Sequence, residues 1–304
     1  MLQPDTYEEN RAIASWRDLI DVFDCFSKSG QQWIFRGQPS SKYPLATKLE
    51  RDLKDFKVDM KEALRIEGGL LRRFKRQCHH YIARPPEEDN TLEWLALMRH
   101  YGAPTRLLDW TYSFFIAFYF ALEEAKEEKE PNGNDTGIWE CAVWALNTDW
   151  MVDRVKNIFG THQVGDEDLW RCFKSDENLT KQSTFKQLFA RSEQPIRMVL
   201  AVTPYGLNDR IAAQQGTFLC PGDATVPFED NLDALRLSDS DFQGNLRKYV
   251  VRVDLKRRIE FLEKLRRMST NRTTLFPGLT GFTESLRTLL AVHDILVPDP
   301  DWAK

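Results

Sequence analysis

Arg36 closes the short run WIFRGQ (residues 33–38), with Gly37 directly after it. Three consecutive apolar residues of high strand preference suit a buried strand. The arginine then emerges at its end, where a planar guanidinium makes a two-pronged fork for phosphate or carboxylate. Gly37 permits close approach of another group to the backbone. A second polar cluster opens HYGAPTRLLDWTYSFFIAFYFALE (residues 100–123), where His100, Thr105, Arg106, Asp109 and Thr111 precede the most apolar run of the chain. Asp109 can pair with Arg106 or Arg36, and Thr105 or Asp109 can cap the helix that follows. The free N–H groups at that helix start, together with Thr111, would suit an anion. The third stretch is RIAAQQGTFLCPGD (residues 210–223), whose Gln214 and Gln215 can read an amide or a ribose hydroxyl. Each stretch also has a purely structural explanation: an internal ion pair, a helix cap and a polar loop.

Other chemistries find little support. Five cysteines (Cys25, Cys78, Cys141, Cys172 and Cys220) are widely spaced, with no Cys-x-x-Cys pair. They suggest neither a zinc ribbon nor a disulfide framework and fit a reducing compartment. In QCHHY (residues 77–81) the adjacent Cys78, His79 and His80 would point to different sides of a helix. His162 and His293 stand alone, so no metal is expected. No nucleophile elbow, P-loop, zincin or dinucleotide glycine motif is present.

A net charge of −4 argues against a protein that mainly coats nucleic acid, although residues 71–77 and 255–267 are locally basic. Hydrophobic content of 42% and nine tryptophans in 304 residues can fill a substantial core. The longest apolar run, Phe114 to Leu122, is nine residues, about half a membrane span. The polar start MLQPDTYEEN does not read as a signal peptide. A cytoplasmic protein without membrane partners is expected.

The elements needed to position these residues follow from periodicity. Helices are expected over 15–26, with Ser15 as N-cap, over 59–80 and about 92–101, and again over 112–126, 258–268 and 281–292. Strands are expected at WIFRG and over 137–146, 196–202, 216–220 and 248–255. Residues 126–135 read as a surface loop, 147–190 as a helical insertion and 275–279 as a turn. The resulting class is α+β, a helix-rich N-terminal half feeding a mainly antiparallel sheet, in one domain over 1–304 with its core about 28–125 and 195–290.

Several of these stretches together resemble the FRG domain, a bacterial and phage-associated family. They are FRG itself (35–37), LLRRFKRQC (70–78), LALMRHYGAPTRLLDWTYSFFIAFYFAL (95–122), QQGTF (214–218) and TTLFPGLTGFTESL (273–286). A more distant resemblance is to ADP-ribosyltransferases of the arginine–serine–glutamate type. Arg36-Gly37 is similar to their first motif. Asp109-Trp110-Thr111, with Ala117 and Phe120, takes the place of the second, and Gln215-Gly216-Thr217 the place of the third. No Glu-x-Glu stands there, and Gln215 or Thr217 can bond a ribose hydroxyl without supplying negative charge.

This resemblance implies an ADP-ribosyltransferase-like sheet and NAD⁺ as co-substrate. Arg36, Gly37, Gln38, His100, Tyr101, Thr105, Arg106 and Thr111 would bind it, Tyr101 by stacking. Asp109, Gln215 and Thr217 would be catalytic, in ADP-ribosyl transfer to a protein or nucleic-acid acceptor or in NAD⁺ hydrolysis. A toxin or anti-phage effector would suit such an activity. Two alternatives remain open: a non-catalytic nucleotide or phosphate sensor on the same fold, and an RNase-like effector. The latter would use His100, Asp109 and Arg36, with basic helices 70–76 and 256–267 on the phosphate backbone.

Overall fold

The computed structural model describes residues 8–130, 133–161, 182–191, 194–206 and 208–292. His162, Cys172, His293 and the middle of the expected helical insertion lie outside these residues. Eight strands form one open sheet: β1 (Glu8–Ile13), β2 (Trp33–Gln38), β3 (Leu108–Thr111), β4 (Lys126–Lys129), β5 (Asp135–Asn147), β6 (Val199–Val202), β7 (Gly216–Pro221) and β8 (Leu246–Asp254). Their order is β1-β8-β5-β2-β3-β7-β6, with β4 paired to β5. Only the β1–β8 pair is parallel.

Thirteen described α-helices surround the sheet: α1 (Trp16–Ser27), α2 (Lys48–Asp55), α3 (Ala63–Cys78), α4 (Thr91–His100), α5 (Phe114–Glu123), α6 (Thr148–Thr161), α7 (Gln182–Phe189), α8 (Asp209–Ala213), α9 (Phe228–Asp233), α10 (Asp239–Asn245), α11 (Leu255–Arg267), α12 (Arg272–Leu275) and α13 (Leu279–Val292). None is long and apolar enough to cross a membrane.

The fold is mixed α and β around a mostly antiparallel sheet, but strands from the two halves interleave. β2 and β3, from the N-terminal half, sit between β5 and β7. Strand alternation divides the core into two layers. Trp33, Phe35, Val143, Ala145 and Tyr249 face the layer containing α5, whereas Ile34, Trp144 and Leu146 face the layer containing α4 and α7.

Two segments differ from expectation. Residues 108–111 form a central strand where a helix-capping turn was expected. Four residues carry too little alternation to be read locally, and partners on both sides hold them extended. The expected loop at 126–135 begins as β4, which pairs back onto β5 through Lys126↔Glu140 and Glu127↔Trp139.

Gly37 is the contact between β2 and α5. A Cβ added there would stand 2.0 Å from the Ala117 carbonyl oxygen and 2.6 Å from the Ala121 nitrogen, both main-chain atoms. The group that approaches Gly37 closely is therefore the apolar helix. Gly37→Ala should push α5 off the sheet and lower unfolding stability by about 3 kcal/mol, measured by urea denaturation.

Candidate functional site

Asp109 lies on β3, and the side chains that meet it come from separate elements. Arg99, in the last turn of α4, donates from Nε to both carboxylate oxygens at 3.2 and 2.9 Å and from Nη2 to Oδ2. Arg36, on the neighbouring β2, donates from Nη1 to the Asp109 carbonyl at 2.6 Å and stands 3.9 Å from its carboxylate. Arg210 on α8 and Arg51 on α2 add their fields. Arg99, Arg36 and Arg210 thus act on one carboxylate, whose side chain remains 45% exposed.

These charges set each other's protonation. Burial alone would raise the Asp109 carboxyl, but Arg99, with Arg36 and Arg210, outweighs it and holds it below the usual carboxylate range. Burial lowers Arg36 to about 10, against the opposing pull of Asp109. Arg210 is lowered in the same way, burial again exceeding Asp109. His100 is lowered by burial and by Arg210, so its imidazole is neutral at pH 7.

Asp109, Arg99, Arg210, His100, Trp110 and Thr217 line an open cleft of about 150 Å³. Two buried polar atoms of that lining, His100 Nδ1 and Trp110 Nε1, have no hydrogen-bond partner, nor does the buried Nε of Arg36. Unpaired buried donors and acceptors are uncommon in folded proteins and call for an explanation.

The C-terminal segment holds one wall of the cleft. Phe276 is sandwiched between the Arg210 and Arg272 guanidiniums, each 4.5 Å from its ring centroid. Gln214 Nε2 donates to the Leu275 carbonyl at 3.0 Å. Arg272 is itself fixed by Glu123 and Glu284.

The residues singled out from the sequence separate into two groups. Arg36, His100, Asp109 and Thr217 converge at or beside the cleft. Thr217 is only 1% exposed, and its hydroxyl meets Thr203 Oγ1 at 3.0 Å and donates to the Val202 carbonyl at 3.3 Å. Thr111 closes the cleft's floor indirectly, donating to the Gln214 carbonyl at 2.7 Å and accepting from Ser113 N at 3.0 Å. Gln215 takes a left-handed conformation (φ 46°), with its carbonyl accepting from Tyr112 N at 3.0 Å and its side chain exposed outside the cleft lining. Tyr101 is 62% exposed and packs edge-on against His100.

The others are used by the fold. Arg106 does not pair with Asp109. It is 1% exposed, with its Nε 2.6 Å from Glu67 Oε2 and its Nη1 donating to the Phe189 carbonyl. Gln38 is 4% exposed and bonded at both ends, donating to the Pro44 carbonyl at 3.0 Å and accepting from Trp144 Nε1 at 2.6 Å. Thr105 is wholly buried and away from the cleft lining. Neither Thr105 nor Asp109 caps α5; Ser113 does, accepting from Ile116 N at 3.4 Å.

Arg99, Arg210, Arg51 and Trp110 were the residues missed. Arg99 sits ten positions before Asp109, and Arg210 lies within the quoted glutamine stretch. Nothing in local spacing distinguishes them from solvated arginines.

The fold and site together define a mixed α and β domain with arginines lining an open cleft. Residues 31–130 match the family model of the FRG domain, and the chain carries an FRG domain over that span. The match takes in Arg36, Arg51, Arg99 and Asp109, and ends before Arg210 and Thr217. No curated protein and no solved structure matches this chain.

Because the folded Asp109 pKa is depressed, its contribution to stability is present above the unfolded value near 3.9 and is lost as pH falls through the folded value. Asp109→Asn should therefore lower the urea midpoint at neutral pH. The gap to the parent should narrow steadily below about pH 4.

Proposed function

We propose that the Arg36–Arg99–Arg210 cluster binds the phosphate groups of a nucleotide, with NAD⁺ or its ADP-ribose portion the first candidate, and holds that ligand without consuming it. The observation that carries this reading is the charge balance of the cleft. Of the residues lining the cleft, Arg99 and Arg210 carry positive charge and Asp109 alone carries negative charge, so this partly open surface keeps a net positive charge that phosphate can reach.

The orphaned His100 Nδ1 and Trp110 Nε1 fit a ligand that brings its own hydrogen-bonding atoms. A volume of about 150 Å³ suits a phosphate-bearing portion rather than a whole dinucleotide. The remainder would extend along the surface towards the exposed Tyr101.

Holding is favoured over turnover because Asp109 is the only carboxylate among the described residues that line the cleft. Arg99 holds both of its oxygens, so its negative charge is already committed and is not free to polarise a ribose hydroxyl. A second reading, NAD⁺ consumption on an ADP-ribosyltransferase-like sheet, draws support from the adjacency of β2, β3 and β7. These three strands carry Arg36, Asp109-Thr111 and Thr217. A neutral His100 beside them would be the available base.

Calorimetric titration with NAD⁺, ADP-ribose and nicotinamide riboside separates these ideas. Binding of the two phosphorylated ligands, absence of binding by the riboside, and about tenfold or greater weakening in Arg210→Ala are the expected results. Nicotinamide release that disappears in Arg36→Ala would replace holding by consumption. Equal binding of the riboside would exclude phosphate recognition altogether.

A further inference from the structure

Helix α3 and the residues directly after it carry three features that neither the fold nor the Asp109 cleft uses. The first is charge. Arg72, Arg73 and Arg76 are exposed, and among the described residues none forms an ion pair or hydrogen bond. Together with Gly69 and Gln77 they line a surface depression of about 480 Å³. Arg72 also borders a neighbouring cavity with Lys186. Lys75 is already committed, donating to the Glu88 carbonyl and lying over the Trp94 ring at 5.2 Å.

The second feature is a pair of glycines in the helix interior. Glycine is the poorest helix former after proline, so Gly68-Gly69 weakens α3. A Cβ on either residue would meet no heavy atom within 4 Å, and neither has positive φ. Packing within the described chain therefore does not require them. They leave bare backbone beside the arginines, where an outside group can come close.

The third feature is a set of exposed rings directly after the cations. His79 and His80 are exposed with ring centroids 4.0 Å apart, and Tyr81 is 83% exposed. An arginine row that tracks phosphates, followed by aromatic faces on which bases stack, is the pattern of single-strand recognition. Arginine also matches phosphate in a bidentate manner and sheds its water more readily than lysine.

We propose that the surface formed by Gly68, Gly69, Arg72, Arg73, Arg76 and Tyr81 binds single-stranded nucleic acid. No residue of this surface lines the Asp109 cleft, so it stands whether or not that cleft binds a nucleotide.

The test is fluorescence anisotropy of the full chain with a labelled single-stranded RNA and its DNA counterpart, across salt. Three phosphate contacts predict a slope of log affinity against log salt near −2, a loss of about twentyfold between 50 and 200 mM. The triple variant Arg72→Ala, Arg73→Ala, Arg76→Ala should abolish that slope, and Tyr81→Ala should weaken binding about tenfold.

The double variant Gly68→Ala, Gly69→Ala gives a readout independent of charge. Its Tm should rise by a few degrees while its affinity falls. A fall in Tm would show that the glycines serve internal packing and would overturn the proposal. So would absence of oligonucleotide binding at about 50 mM salt. Tighter binding of a poly-glutamate peptide than of either oligonucleotide would replace nucleic acid by an acidic protein partner.

Discussion

The Asp109 carboxylate is the point on which the candidate site depends. Without a negative charge between them, Arg36 and Arg99 would face each other across adjoining elements, with Arg210 and Arg51 adding to the repulsion. At an effective dielectric of about 20, two like charges several ångströms apart repel by a few kcal/mol, which few surface contacts offset. Asp109 opposes that repulsion at each arginine, and at Arg99 it outweighs burial as well. Its carbonyl oxygen also ties Arg36 to the strand, so main chain and side chain of one residue organise two cations.

That arrangement needs a strand, not a turn, at residues 108–111. β3 pairs with β2 on one side and β7 on the other. It therefore sets Asp109 beside Arg36 and brings Thr217 and α8 to the same edge of the cleft. Gly37 allows α5 to lie directly against β2. From the far end of the chain, Phe276 steadies Arg210 through the faces of its ring. Residues outside the matched family span thus complete a site whose first members lie within it.

Two arginines close together in sequence show how environment decides role. Arg106 is buried with Glu67, bonded through backbone and side chain, and leaves no charge for a ligand. Arg99 shares its carboxylate with other cations in a half-open setting. A saturated buried pair contributes mainly to defining the fold, since desolvation offsets much of its attraction. An undersaturated cluster at the surface keeps positive potential available.

By itself the sequence determined what short-range periodicity encodes: the WIFRG strand, the amphipathic α3, the apolar α5 and the long strands β5 and β8. It also carried enough motif to reveal the FRG resemblance. Tertiary structure alone decided that residues 108–111 form a central strand, because its hydrogen-bond partners lie far along the chain. It alone assigned Asp109 to Arg99, Arg106 to Glu67, and Gln38 to the core. Ion pairs are chosen by distance in space after chain crossover, and a sequence rich in arginine and carboxylate permits many pairings that only packing resolves.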